Sequence, residues 1–151
     1  MRIKMVTPLR VFFLIALTPV CLGSESHLSL GGITLDLDPD LDEGAVISIL
    51  GEPNSREEIS DFINLIFKYD ELDIYFSGQF IVGAFTTSPN ICTFEGVCPG
   101  SSIDKAVGIY GQYHEKSEDL YEFYPNIDLT CWYRMGVMIA KVTSIEIVCQ
   151  P

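Results

Sequence analysis

The chain has 151 residues, 48% of them hydrophobic and 20% charged, with 21 acidic side chains against 9 basic ones. That is apolar material enough for a core in about one domain's length, and it excludes intrinsic disorder. A net charge of −12 argues against nucleic acid and anionic membrane surfaces as partners, since both need clustered positive charge, and suits a basic protein.

In chain order, Arg2, Lys4 and Arg10 precede the apolar run Val11–Val20. A basic flank before a short apolar stretch reads as a secretory signal over residues 1–23, too short to span a bilayer as a helix, though an N-terminal anchor is the alternative. Cys21-Leu22-Gly23 before Ser24 offers small residues for cleavage. A lipidation site at Cys21 is the rival, with Val20 and Thr18 matching it poorly. Three basic residues leave with this segment and no acidic ones, so the remaining charge is −15. Cys92, Cys98, Cys131 and Cys149 also remain, an even set that suggests two disulfides in a periplasmic or secreted protein.

Residues 24–38 form an N-terminal segment. The run Asp36, Asp38, Asp40, Asp42 invites a calcium loop, but Gly and Glu are missing from the sixth and twelfth positions in either frame. It reads instead as an acidic entry to a helix.

From residue 39 the chain repeats. Pro39/Pro99, Ile49/Ile109 and Gly51/Gly111 recur at an offset of 60, and Asp42 and Ser102 fall together as N-cap types. Ala45, Val46, Ile49 and Leu50, like Ile103, Ala106, Val107 and Tyr110, recur at helical spacing up to each Gly, and Val46, Ile49, Leu50, Ile103, Val107 and Ile109 are expected to be partly buried. Short helices are predicted near 42–51 and 102–110. The period then changes to two. Phe62–Lys68, Leu72–Phe76 and Phe80–Thr87 read as strands in the first unit, with a hairpin at Ser77-Gly78. Leu120–Tyr124, Ile127–Arg134 and Lys141–Cys149 do so in the second. Leu72–Cys92 and Leu129–Cys149 match in length, so the offset drops to 57. The expected fold is α+β: two tandem helix-plus-three-strand units, 39–92 and 93–151, forming one antiparallel sheet with the helices on one face.

A helix ending in a Leu-Gly or Tyr-Gly step, followed by antiparallel strands closing on a Cys and repeated in tandem, resembles the beta-lactamase inhibitor protein fold. It is also similar to the single-unit fold of the small outer-membrane-barrel assembly lipoproteins, from which it departs by its two units and its lipidation site. The resemblance covers about residues 30–149. For the inhibitor type it implies protein binding by the open sheet face, and no inhibitory loop residue is carried over.

Alternation divides the side chains. Ile127, Leu129, Cys131 and Tyr133 share an apolar face, with Asp128, Thr130, Trp132 and Arg134 on the other. Leu72, Ile74 and Phe76 oppose Asp73, Tyr75 and Ser77, while Ile145, Ile147 and Cys149 oppose Ser144, Glu146 and Val148. Four cysteines allow three connectivities; if the last hairpin turns near Ile139–Ala140, Cys131 and Cys149 stand opposite each other, and proximity across the inter-unit turn pairs Cys92 with Cys98. At an offset of 57 Tyr75 corresponds to Trp132. The candidate binding residues are therefore Trp132, Tyr75, Asp73, Asp128, Arg134 and Glu146, facing a basic protein partner, unless both rings merely cover sheet surface.

No enzyme, metal or cofactor is expected. His27 and His114 lack a triad setting, no nucleophile elbow or phosphate loop is present, and cysteine spacings of 6, 33 and 18 contain no Cys-x-x-Cys pair. The expected function is an exported protein-binding or inhibitor-type module. The alternative is a structural envelope-assembly accessory, with a lipid anchor in one form.

Overall fold

The structure, a computed structural model, describes residues 28–35, 41–117, 119–125 and 130–150. Residues 1–23, read above as a secretory signal, with Cys21, then His27, Asp36, Asp38 and Asp40, and Ile127, Asp128 and Leu129 lie outside the described residues.

Chain order is β1 (Ser29–Leu30), β2 (Ile33–Thr34), α1 (Glu43–Leu50), β3 (Ser55–Glu58), β4 (Leu65–Lys68), β5 (Asp73–Ser77) and β6 (Phe80–Thr86). Then follow α2 (Ile103–Tyr110), β7 (Glu115–Ser117), β8 (Leu120–Phe123), β9 (Cys131–Met138) and β10 (Lys141–Cys149). Each helix is capped by the chemistry its sequence announces. Asp42 accepts from the Ala45 N–H at 2.9 Å and Ser102 from the Lys105 N–H at 3.3 Å. Gly51 and Gly111 both take φ of 83°, a left-handed value that lets the backbone N–H close on Ile47 and Val107 and end the helix.

The main sheet is antiparallel, in the order β3-β4-β5-β6-β10-β9-β8-β7. The last strands of the two halves pair at its centre, so the halves are related by an approximate two-fold axis. On one face a row of Phe67, Ile74, Ala84, Ile147, Tyr133 and Phe123 runs across six strands, fully buried throughout. Both helices lie on this side. Near α1, Tyr69 Oη donates to the Gly51 carbonyl at 3.0 Å, and Arg56 reaches Glu43 while covering the Phe67 ring at 4.8 Å. On α2, the Tyr110 ring packs 5.1 Å from Tyr133 and 5.9 Å from Phe123.

The β1–β2 hairpin closes the same core. Gly31 and Gly32 supply the two positive φ values of its tight turn, 60° and 87°. Leu28, Leu30 and Ile33 are fully buried. Tyr133 Oη accepts from the Ser29 N–H at 3.0 Å and donates to the Ser29 carbonyl at 3.1 Å, satisfying backbone groups that burial would otherwise strand. Residues 28–35 of the N-terminal segment are thus part of the core layer.

The expected α+β class with three strands per unit is corrected. The described residues are mostly β, with 43% in strands against 14% in helices, and each helix is followed by four strands. The unforeseen strands, β3 and β7, are the two edges of the sheet. β3 reads Ser-Arg-Glu-Glu, exposed at all four positions, so it carries no apolar alternation to detect. Charged, short edges discourage pairing with other chains, which is why such strands look like loops in sequence.

The expected offset of 57 is corrected too. The hairpin turns at Gly78-Gln79 and Ile139-Ala140 stand 61 apart, and so do the bulged residues Val82 and Thr143 that interrupt the two ladders. Cys92 misled the match, because it lies beyond β6 in the connection rather than at a strand end. Ile49, placed among the partly buried helix residues, is 53% exposed.

Candidate functional site

With helices and hairpin on one side, no helix or further strand covers the other face of the sheet among the described residues. Two rows of side chains cross it. The first runs Lys68, Asp73, Phe85, Glu146, Arg134, Glu122 over six strands. The second, one step along the strands, runs Ile66, Tyr75, Gly83, Val148, Trp132.

Ion pairs tie the first row together. Lys68 Nζ donates to Asp73 at 2.6 Å. Arg134 donates from Nε to Glu122 at 3.0 Å and from Nη1 to Glu146 at 3.4 Å. Burial alone would raise the Glu122 carboxyl. Hydrogen bonds from Arg134 and Tyr124, with the Trp132 N–H aimed at the same carboxylate, outweigh it and hold the group below its ordinary value. For Glu146 burial wins over its weaker contact with Arg134, and the carboxyl is raised. Burial, then the nearby charges of Glu146 and Asp73, push the Tyr75 hydroxyl up to about 12. Arg134 thus shares one positive charge between two carboxylates.

In the second row, Gly83 is small for a reason. A Cβ there would meet the Ile147 carbonyl at 2.7 Å and the Tyr75 ring at 3.1 Å, so the glycine lets the ring lie against the sheet. Trp132 is only 8% exposed, stacked on Tyr124 at 5.5 Å, with His114 edge-on to Tyr124 at 5.2 Å. Its buried Nε1 has no partner at full hydrogen-bond geometry but is directed toward Glu122. Trp132 therefore forms part of the floor rather than a projecting anchor. A shallow pocket of about 210 Å³, lined by Ser117, Leu120, Glu122 and Arg134, opens at the β7–β8 end of the face.

The structure thus brings Tyr75, Trp132, Asp73, Arg134 and Glu146 onto one face, with Asp128 outside the described residues. Tyr75 and Trp132 are not repeats of each other. They share a cross-strand row with two strands between them, about 14 Å at the usual strand spacing. Glu122, Phe85 and Lys68 were not singled out in the sequence. Leu120-Tyr-Glu-Phe-Tyr124 alternates, which places Glu122 on the polar side, but only the register shows that it meets Arg134. Both disulfides expected from the cysteine positions form, Cys92–Cys98 and Cys131–Cys149, as befits a chain that folds in an oxidising compartment. Among the described residues no three His, Cys, Asp or Glu side chains group to hold a metal ion, and no helix is long and apolar enough to cross a membrane.

No protein-family model matches the chain, and no curated protein does. Among solved structures it is similar to the crystal structure of an extracellular protein containing a SCP domain from Bacillus anthracis str. Ames, with a TM-score of 0.59 and 8% identity. The likeness covers 72% of this chain and spans 43% of the other, and it is a likeness of fold alone.

Proposed function

We propose that this is an exported protein-binding module that works through the uncovered face of its sheet, in the periplasm or outside the cell. One observation carries the proposal: a continuous six-strand row of ionised and aromatic side chains lies on a face that its own helices leave bare. Asp73, Glu146 and Glu122 outnumber Lys68 and Arg134 along it, and the chain as a whole is strongly acidic. Such a surface favours a basic protein, with the acids steering association and Tyr75 and Phe85 supplying contact area. The inhibitor-type resemblance points the same way.

The test is affinity capture from an envelope or culture extract, followed by titration of the identified partner against Tyr75→Ala and the charge reversals Asp73→Lys and Glu146→Lys. The ring should govern the dissociation rate, and the reversals should slow association with a flatter salt dependence. Variants that stay folded and bind unchanged would remove this face from function.

A further inference from the structure

The two halves of the sheet turn at matching places, with different residues and different backbones. Between β5 and β6, Ser77-Gly78-Gln79-Phe80 places a glycine at the first turn position, with φ of 63°. At the matching place between β9 and β10, Met138-Ile139-Ala140-Lys141 adopts positive φ twice, 51° at Ile139 and 58° at Ala140. A left-handed conformation crowds any Cβ, and for a β-branched residue it is a true outlier. Glycine, asparagine or aspartate would fill this turn without strain. The chain instead spends stability on an isoleucine whose side chain is 91% exposed and so contributes almost no burial of its own.

The turn is held firmly all the same. The Ala140 carbonyl accepts from the Ile103 N–H at 3.1 Å, and Val142 exchanges backbone hydrogen bonds with Gly100 and Ser101, at 2.7 and 2.9 Å. The α2 N-terminus and the connection before it therefore brace the hairpin from the core side. Beside Ile139, Met138 is 62% exposed, and Leu120 flanks it on the uncovered face, paired with Gly136 two residues before Met138. A braced turn with an exposed apolar tip, strained for no internal gain, is a preorganised projection.

We propose that Ile139, supported by Met138 and Leu120, is the anchor by which this protein enters an apolar cleft of a partner protein. This deepens the proposed function, on which it rests, because the tip adjoins the same face. A protein occupant fits better than a lipid surface: the chain carries a net charge of −12, which an anionic bilayer repels, and a cleft rimmed by basic side chains complements it. Burial of a single projecting side chain in a matched pocket is also how binding anchors concentrate affinity.

The test uses the full exported chain. A photo-activated cross-linking residue replaces Ile139 in one sample and Gln79, at the matching tip of the other half, in a second. Irradiation in envelope or culture extract should join position 139 to one protein, at a peptide from an apolar cleft, and leave position 79 unlinked. Against that purified protein, Ile139→Gly should weaken affinity roughly ten- to a hundredfold. The same substitution should raise Tm by roughly 2–5 °C, because it relieves the turn. Gain of stability with loss of binding is a combination that a structural role for Ile139 does not produce. Lipid adducts at 139, equal labelling at 79, no protein adduct, or Ile139→Gly with unchanged affinity or without a gain in Tm would each overturn the proposal. If Ile139→Gly binds normally while Glu146→Lys does not, the tip fails and the sheet face stands. The reverse pattern keeps the tip and discards the face.

Discussion

Arg134 sits between two glutamates whose environments push them in opposite directions, and the difference is measurable as a pair of pH profiles. Glu122 is held below its ordinary value, so its native contacts stabilise the fold above the unfolded carboxylate value near 4.3, and that stabilisation is lost as pH falls through the lower folded value. Glu122→Gln should cost about 1–3 kcal/mol at neutral pH and progressively less below the carboxylate range. Glu146 is raised, chiefly by burial, so the folded state binds its proton more tightly than the unfolded chain does. Its ionisation lowers stability as pH rises through the window between the two values. Glu146→Gln should therefore be neutral or stabilising at pH 7 and should flatten that part of the profile. Denaturant titrations of both variants from pH 3 to 8 check the signs, and like-signed profiles would refute the assignment. Gly83 gives a second residue-scale expectation. An alanine there puts a methyl against the Ile147 carbonyl and the Tyr75 ring, and should cost about 1–3 kcal/mol as the central β6–β10 ladder shifts.

The elements differ in how much of themselves they write into the sequence, and the reason is burial. Both helices were legible, since a cap, an apolar stripe and a closing glycine are local signals; so were β5, β6 and β10, which alternate because one side meets the core. The edges β3 and β7 were not, because an edge selected to repel partners shows charge where a strand detector looks for alternation. The paired row across the uncovered face was half legible: strand alternation gives the side on which Glu146 and Arg134 stand, but register, which turn geometry and bulges decide, gives their neighbours. Edge protection predicts its own failure. Replacing Arg56, Glu57 and Glu58 together by threonine and valine leaves four backbone groups unguarded on a strand of high β-propensity. Size-exclusion chromatography should then show concentration-dependent association, whereas the parent chain elutes unchanged over the same range. Loss of the Cys131–Cys149 link, which closes a loop of 18 residues between adjacent strand ends, should cost about 2–4 kcal/mol by denaturant titration.

At the scale of the whole molecule, the N-terminal hairpin does what neither half can do alone. It bridges Leu30 to Thr93 in the connection, bonds through Ser29 to Tyr133 in β9, and brings the Leu35 carbonyl to the Cys131 sulfur. Sequence alone gave only a short segment before the first helix, because eight residues with one tight turn have no period long enough to reveal which face they bury. Leu28, Leu30 and Ile33 are each fully buried, and at about 1.5–3 kcal/mol apiece they contribute roughly 5–9 kcal/mol. Domains of this size are stable by only about 5–15 kcal/mol, so the hairpin is comparable to the whole margin. Deleting residues 28–35 should leave a chain that retains far-ultraviolet circular dichroism but unfolds without a cooperative transition. Tyr133→Phe is the finer probe. It keeps the ring against Tyr110 but strands the buried Ser29 N–H and carbonyl, and should cost about 1–3 kcal/mol. Hydrogen exchange on that variant should show the loss concentrated at Ser29 and the β1–β2 amides, with the β6–β10 centre still protected. Uniform loss of protection across the sheet would mean that the hairpin is not a separable cover but folds as one unit with the strands beneath it.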